Sequence, residues 1–497
     1  MSQIKNGALL SYLNILITTI IGLFITPYII SKLGDSEYGL YSLIGSLIAY
    51  FTLVDFGLGD TVIRFVAKFR VKKQIDEQAE FLGTVLKLYS LITLVIIILG
   101  VILYFNLEVL FGKALSSAEI NKGKLMFILF LFNLGISLPG NIFLGIANAY
   151  EQFIYTRGVL IIKYLIRSLA IFVSLNYFES ALALVTIDTV INILYLLINF
   201  LYGRNYLKVT FKFTSFNIAQ VKGIFGFSIW MFILGLVSQF QWKGGQVIVG
   251  MRGGSEMVAI YAIGILLGTY YGSFSSAVSS LFLPKATKMV VNLESNENLT
   301  TVFVKIGRLT CVVLLLILGG FYLFGKDFIV LWLDEGYLPA YRIAMLIMVA
   351  YTIPLTQTFA TSVLEAKNKI HYKSITYLIV IPMGTLLGYF FYPMFGIYGV
   401  ISCICLFWLI GVAILNYFYI RILGLNIGTF FWNCFQALIP LILLLLIFKY
   451  VDSNLNYSNS WLILTLKCLV FFFSFVVFYY ILFFNKFEKG IVKKLLK

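Results

Sequence analysis

Lys163 and Arg167 stand four positions apart in a stretch that is otherwise apolar. In an α-helix this spacing places both side chains on one face. A charge in the middle of a bilayer costs roughly 2.5–3.5 kcal/mol, so such charges usually face protein or water. Two cations on one face could bind a diphosphate or an acidic sugar, and arginine offers a bidentate fork to these oxyanions. An interhelical ion pair with Asp188 is the alternative, and the sequence leaves both open.

A second polar patch, QFQWKGGQ, lies at positions 239–246. Gln239 and Gln241 carry amides that suit sugar hydroxyls, and Trp242 could stack on the face of a sugar ring. Lys243 adds a cation to the same turn. The alternative is that the helix ends here and Lys243 extends to the membrane surface. The four residues are therefore candidate substrate contacts.

Two carboxylates, Asp188 and Asp55, are candidates for ion coupling. A carboxylate that is removed from water can take up a proton near neutral pH, which suits a role in coupling transport to an ion gradient. For Asp188 the alternative is a salt bridge with Lys163 or Arg167. No metal site, disulfide framework or cofactor is predicted, because the five cysteines lie in apolar runs and His371 is the only histidine.

The elements that carry these residues are predicted to be membrane-spanning helices. Of the 497 residues, 61% are hydrophobic and only 12% are charged, about half the charged share of a soluble domain. The apolar residues form continuous runs long enough to cross hydrocarbon, which favours helices over the alternating strands of a barrel. The predicted helices are 8–32, 38–66, 81–105, 123–147, 157–177, 181–202, 223–249, 256–283, 301–325, 339–365, 374–393, 397–421, 429–450 and 461–484.

The basic residues indicate how these helices are oriented. Lys and Arg concentrate in alternate connections and in the C-terminal tail, which predicts that both termini are cytoplasmic. This bias accounts for the net charge of +16 without a nucleic-acid partner. Basic residues near helix ends, Arg308 among them, are expected to extend to the surface. The apolar run beginning near Ala8 lacks a small-residue cleavage site and is predicted to be the first spanning helix.

An internal repeat divides the predicted helices into two sets. Residues 32–45 align with residues 251–264, and this alignment pairs Ser36 with Ser255. A second match pairs Ala149 with Ala366, at nearly the same offset. We therefore predict two six-helix lobes related by a pseudo-two-fold axis along the membrane normal. The predicted segments are a first lobe at 1–205, a cytoplasmic linker at 206–222, a second lobe at 223–425, and two additional helices with a basic tail at 426–497.

The segment Ser31–Phe69 resembles the N-terminal signature of Wzx-type polysaccharide flippases. These proteins belong to the multidrug/oligosaccharidyl-lipid/polysaccharide (MOP) exporter superfamily. The matching features are LGDSEYGLY, which opens the second helix, and DFGLG, which precedes a basic connection. Helix number, topology and the two-lobe repeat extend the resemblance over most of the chain.

The resemblance implies transport without enzymatic chemistry. Such proteins move a polyprenyl-diphosphate-linked oligosaccharide, an O-antigen or capsule repeat unit, from the cytoplasmic to the outer leaflet of the bacterial inner membrane. The expected mechanism is alternating access, coupled to an ion gradient. Membrane lipids, a polysaccharide polymerase and a chain-length regulator are the implied partners. The alternatives are a membrane polysaccharide polymerase or ligase, a small-molecule exporter of the same superfamily, and a scaffold without a transport role.

Overall fold

The structure of the protein is a computed structural model that describes residues 2–55, 57–213, 230, 232–279, 282–453, 460–484 and 488–490. Within these ranges every regular element is helical, which confirms the all-α fold. Continuous helices satisfy their backbone polar groups internally, as hydrocarbon requires. The described residues form sixteen α-helices, together with short 3₁₀ and π segments.

The first seven α-helices include those that carry Lys163, Arg167 and Asp188. Their bounds are α1 Ser2–Leu33, α2 Asp35–Phe51, α3 Leu58–Val71, α4 Ile75–Phe111, α5 Ser117–Ala149, α6 Phe153–Ser174 and α7 Ala181–Leu201. The predicted helix 38–66 is in fact two helices. A 3₁₀ turn at Thr52–Asp55 and a left-handed Gly57 (φ 68°) separate α2 from α3 within the DFGLG segment.

The remaining nine α-helices follow a π-helical turn at Phe240–Gly244. Their bounds are α8 Gly245–Ser279, α9 Phe282–Val291, α10 Asn296–Trp332, α11 Leu338–Thr356, α12 Thr358–Ala366, α13 His371–Leu423, α14 Ile427–Phe435, α15 Leu438–Ser453 and α16 Trp461–Leu482.

Ten helical segments of the described chain are long and apolar enough to cross a membrane. Two of them, Phe232–Ser273 and His371–Leu423, have 42 and 53 residues, enough for two crossings each. Each bends at a glycine with a left-handed backbone, Gly254 and Gly396 respectively. When α6 and the α2–α3 pair are added, the number of crossings agrees with the predicted fourteen.

The backbone repeats itself at three pairs of residues with positive φ. The pairs are Gly34 with Gly254, Lys73 with Leu293, and Glu151 with Asn368. Their spacings are close to those of the sequence repeat, although the first pair lies one position away from the predicted alignment of Gly34 with Gly253. The difference arises because the left-handed glycine, and not the neighbouring Ser-Glu motif, defines where each turn occurs.

The third pair of turns lies beside the aligned Ala149 and Ala366. The N–H of Glu151 donates to the carbonyl of Asn148 at 3.0 Å, and the N–H of Asn368 donates to that of Glu365 at 2.9 Å. In both turns the next residue donates five positions back. This is the Schellman arrangement, which ends a helix by satisfying its last carbonyls. The repeat is therefore present in the hydrogen bonding as well as in the sequence.

The chain divides into two compact units, Met1–Ala262 and Ile263–Lys497. The predicted lobe boundaries remain a prediction. Most of the predicted linker, residues 214–222, lies outside the described residues.

In the second unit, the expectation that Arg308 extends to the surface is wrong. Its side chain is 8% exposed, and its Nε and Nη2 atoms donate to the two carboxylate oxygens of Glu488 at 2.8 and 3.0 Å. Nη2 also donates to the carbonyl of Phe483 at 3.1 Å. Glu488 follows α16 and returns to contact α10, a long-range contact that position along one helix does not reveal.

Replacing Glu488 with alanine should strongly destabilise the second unit, because it leaves the buried guanidinium of Arg308 without its counter-charge. The expected loss is about 3–5 kcal/mol, seen as a lower thermal unfolding temperature in detergent. Glu335→Ala is the matched control, since Glu335 is exposed. A Glu488→Ala variant that unfolds at the wild-type temperature would contradict this assignment.

Candidate functional site

A cavity of about 580 Å³ lies within the first unit and is lined by side chains of α2, α5, α6 and α7. Its polar lining includes residues that the sequence singled out and others that it did not. The polar residues on which the site depends are Asn133, Ser137, Lys163, Arg167, Asp188 and Asn192.

Helical periodicity places these groups together. Lys163 is ten residues into α6, which corresponds to about 15 Å at 1.5 Å per residue, close to the middle of a bilayer. Arg167 follows one turn later. On α7 Asp188 and Asn192 have the same spacing of four, so each helix presents one polar face to the other. The outward faces of both helices are apolar and exposed, as expected for contact with lipid.

Arg167 and Asp188 form the interhelical ion pair that the sequence left open. The Nε and Nη2 atoms of Arg167 lie 2.5 and 3.0 Å from the two carboxylate oxygens of Asp188. The hydroxyl of Tyr41, on α2, donates to Asp188 at 3.0 Å. This bidentate geometry is the strong form of the pair. The guanidinium of Arg167 is thus already bound by a carboxylate of the protein itself.

Lys163 has different partners. Its ammonium donates to the amide oxygen of Asn192 at 2.8 Å and lies 4.2 Å from the centre of the Tyr195 ring. Among the described residues Lys163 takes part in no ion pair within 4.0 Å. An amide and an aromatic face stabilise a cation without neutralising it. Two cations line the cavity, Lys163 and Arg167. Lys163 is therefore the one without a carboxylate partner among the described residues.

A neutral network supports Lys163. The amide nitrogen of Asn192 donates to Asn133 Oδ1 at 2.6 Å and approaches Ser137 Oγ at 2.7 Å. Both partners lie on α5. This network fixes the amide orientation of Asn192, so that its oxygen faces the ammonium of Lys163. The cavity can thus offer amides and a hydroxyl to a polar ligand, beside one cation.

Sequence reasoning missed Asn133, Ser137 and Asn192. The available signal was their spacing, since polar residues recur every four positions in α5 and α7, which are otherwise apolar. A comparison of the polar faces of α5 and α7 with that of α6 would have grouped these residues with Lys163.

The second candidate cluster is placed elsewhere in the first unit. Lys243 and Gln241 lie in the π-helical turn, where Gln241 is buried, and Gln239 immediately precedes it. None of these residues lines the cavity around Lys163, and neither does Trp242. Single π turns often occur at functional sites. The predicted contact roles of these four residues remain predictions.

Near this turn, Gln246 is 3% exposed, and its amide oxygen has no hydrogen-bond partner among the described residues. The predicted coupling residue Asp55 ends the 3₁₀ turn after α2, but its side chain lies outside the described residues. No group of three or more His, Cys, Asp or Glu side chains in the described part is arranged to hold a metal ion.

A family model described as "Polysaccharide biosynthesis protein" matches residues 4–289, more than half of the chain. The chain belongs to this family. No curated protein matches the chain.

Solved structures of transporters share the fold of this family member. A lipid II flippase, MurJ, in an inward closed conformation has a TM-score of 0.69 at 18% identity, covering 98% of this chain and 99% of its own. An inward-facing multidrug resistance MATE family transporter of the MOP superfamily has a TM-score of 0.68 at 12% identity, covering 82% and 94%. These matches confirm the MOP-type fold that the sequence resemblance implied.

A MOP superfamily transporter from Pyrococcus furiosus also shares the fold. Its TM-score is 0.57 at 12% identity, covering 85% of this chain and 96% of its own. At this identity the likeness shows the fold alone.

We expect Arg167→Leu to destabilise the first unit by about 3 kcal/mol, because Asp188 would keep its charge without a partner. The double variant Arg167→Leu/Asp188→Leu should recover most of this loss. Arg157→Leu, on the same helix but outside any ion pair of the described residues, is the control. Thermal unfolding in detergent measures all three, and equal losses in the single and double variants would show that the pair is not coupled.

Proposed function

We propose that the protein is a flippase that moves a polyprenyl-diphosphate-linked oligosaccharide from the cytoplasmic to the outer leaflet. The observation that carries this proposal is the ammonium of Lys163, which has no carboxylate partner among the described residues and donates to Asn192 in a cavity that Asn133 also lines, near the middle of α6. A sugar presents hydroxyls to such amides, and a diphosphate or acidic sugar presents oxyanions to the cation.

The surroundings of the cavity support a cargo with one polar and one apolar end. The helices that line it expose apolar side chains on their other faces. A polyprenyl tail can remain in lipid while its sugar and diphosphate occupy a polar cavity, so the full hydrocarbon cost of the head group is avoided. Family membership and the likeness to a lipid II flippase support the same class of cargo.

Within this proposal Arg167 and Asp188 have a switching role. An oxyanion of the cargo competes with Asp188 for the fork of Arg167, since both ligands use the same bidentate geometry. Asp188 is then released from Arg167 and serves as the proposed ion-coupling residue. Lys243, with Gln239, Gln241 and Trp242, forms a second set of cargo contacts, and O-antigen or capsule repeat units are the proposed sugars.

Two alternatives fit the cavity less well. A small cationic drug would be bound by acidic and aromatic groups, whereas the carboxylate of this cavity is held by Arg167 and the free group is a cation. A polymerase or ligase would need an acid–base or nucleophilic cluster. The described lining of the cavity instead offers amides, hydroxyls and a carboxylate that is already paired with Arg167.

Replacing Lys163 with methionine should lower the rate of flipping about tenfold or more at low cargo concentration, the effect of losing one charge-assisted hydrogen bond. Lys163→Arg should retain part of the activity, because the charge remains. The assay uses reconstituted vesicles and a fluorescent polyprenyl-diphosphate-linked saccharide.

Lys113→Met removes an exposed lysine and should flip at the wild-type rate. If Lys163→Met also flips at that rate, Lys163 is not a cargo contact. If wild-type protein moves no lipid-linked saccharide but exports a small molecule, the alternative exporter function replaces the proposal.

A further inference from the structure

The two serines that the sequence repeat aligns, Ser36 and Ser255, touch each other in the first unit. Their hydroxyl oxygens are 3.1 Å apart. Both donate to the same oxygen, Oε1 of Glu119, and the bond from Ser36 measures 2.9 Å. Each serine lies just after a left-handed glycine that begins a helical segment, Gly34 or Gly254.

Glu119 is held in place independently of the two serines. It is the third residue of α5, and its Oε2 accepts from the backbone N–H and the hydroxyl of Ser116 at 2.8 and 2.7 Å. The hydroxyl of Ser116 in turn accepts from the N–H of Glu119, which completes a capping box. Because the cap fixes one carboxylate oxygen, the other is presented in a constant direction to Ser36 and Ser255.

The backbone is also shaped for this contact. A Cβ added to Gly39 would lie 1.8 Å from the carbonyl oxygen of Ser255. Only a glycine allows the two segments to approach so closely. The close approach explains why a glycine occupies the third position after Ser36 in the EYGLY motif.

α2 is tied to α5 and α7 at the same end. Oε2 of Glu37 accepts from the N–H of Ala181 at 2.8 Å, and its Oε1 pairs with Lys122. On the same helix, Tyr41 donates to Asp188 in the cavity. α2, α5 and α7 are thus joined to one another and to the candidate cargo site, whereas Ser255 belongs to the second half of the sequence repeat.

We propose that Ser36, Glu119 and Ser255 form a latch that closes the predicted outer end of the cargo path and opens in each transport cycle. This inference rests on the proposed flippase function. The chemistry suits a contact that breaks repeatedly, because Glu119 keeps its two bonds from Ser116 after Ser36 and Ser255 separate. No charge then loses its last partner, which is the main cost of opening a polar contact.

Cross-linking tests the latch directly. Ser36→Cys and Ser255→Cys are combined in a background whose five native cysteines are replaced by alanine. The two hydroxyl oxygens are 3.1 Å apart. Sulfur atoms in their place would therefore need only a small movement to form a disulfide bond of about 2.05 Å. Oxidation should abolish flipping of a fluorescent polyprenyl-diphosphate-linked saccharide in vesicles, and reduction should restore it.

Three controls make the result specific. Each single cysteine variant should keep its rate under oxidation. A matched pair, Val62→Cys with Gly145→Cys, links α3 to α5 within the first half of the repeat, where an added Cβ would lie 3.3 Å from that of Val62. This second disulfide should leave flipping intact.

The outcomes separate the latch from the function. Full flipping by the oxidised Ser36–Ser255 pair would overturn the latch, and so would failure of the folded double variant to cross-link. If the reduced variant and wild type both move no lipid-linked saccharide, the proposed function fails.

A second measurement does not require a disulfide. In the same cysteine-free background, Ser36→Cys alone should react slowly with a membrane-impermeant thiol reagent added from the outer side. Adding Glu119→Ala should accelerate labelling about tenfold, the change expected for loss of one charge-assisted hydrogen bond. Glu119→Gln, which retains one acceptor oxygen, should give an intermediate rate. Equal labelling with and without Glu119 would contradict its role.

Discussion

Hydrocarbon cannot solvate a polar group, and this constraint shapes each part of the structure. The backbone meets it by forming helices throughout the described residues. The side chains meet it by pairing across helices, as Arg167 does with Asp188 and Arg308 with Glu488. Where α5 and α12 end, a left-handed residue and capping hydrogen bonds satisfy the last carbonyls. Charged residues within the spanning helices are few because each charge at bilayer depth requires a partner.

Lys163 differs from Arg167 and Arg308 in how it meets this constraint. It is stabilised by an amide and an aromatic ring, with no carboxylate within ion-pair distance among the described residues. The neighbouring Arg167, on the same face of the same helix, is neutralised by Asp188. The two cations therefore have different capacities: Lys163 can accept an anionic ligand directly, whereas Arg167 must first exchange its partner. A polar cargo that enters the cavity supplies the anionic ligand for Lys163, which hydrocarbon cannot supply.

The repeated segment, at residues 32–45 and 251–264, has two structural roles: it joins its two copies to each other and ties α2 to its neighbours. In each half it begins a helix with a left-handed glycine followed by a Ser-Glu motif. Ser36 and Ser255 meet at Glu119, while Glu37 of the first copy ties α2 to α5 and α7. The cargo site is linked to this contact through Tyr41 on α2. Tyr41 and Ser36, both on α2, thus connect the cavity residue Asp188 to the contact between the two copies of the repeat.

The sequence alone was sufficient to predict the helical membrane fold, the approximate number of crossings, the repeat and the resemblance to MOP exporters, because these depend on the length and hydropathy of local segments and on a contiguous motif. It also determined that Lys163 and Arg167 share a face, since helical periodicity is local. The folded chain was needed to show that Arg167 pairs with Asp188 while Lys163 does not, that Asn133 and Asn192 complete the cavity, and that Arg308 is buried against Glu488. These outcomes depend on the rotation and depth of one helix against another, and contacts between distant segments fix both.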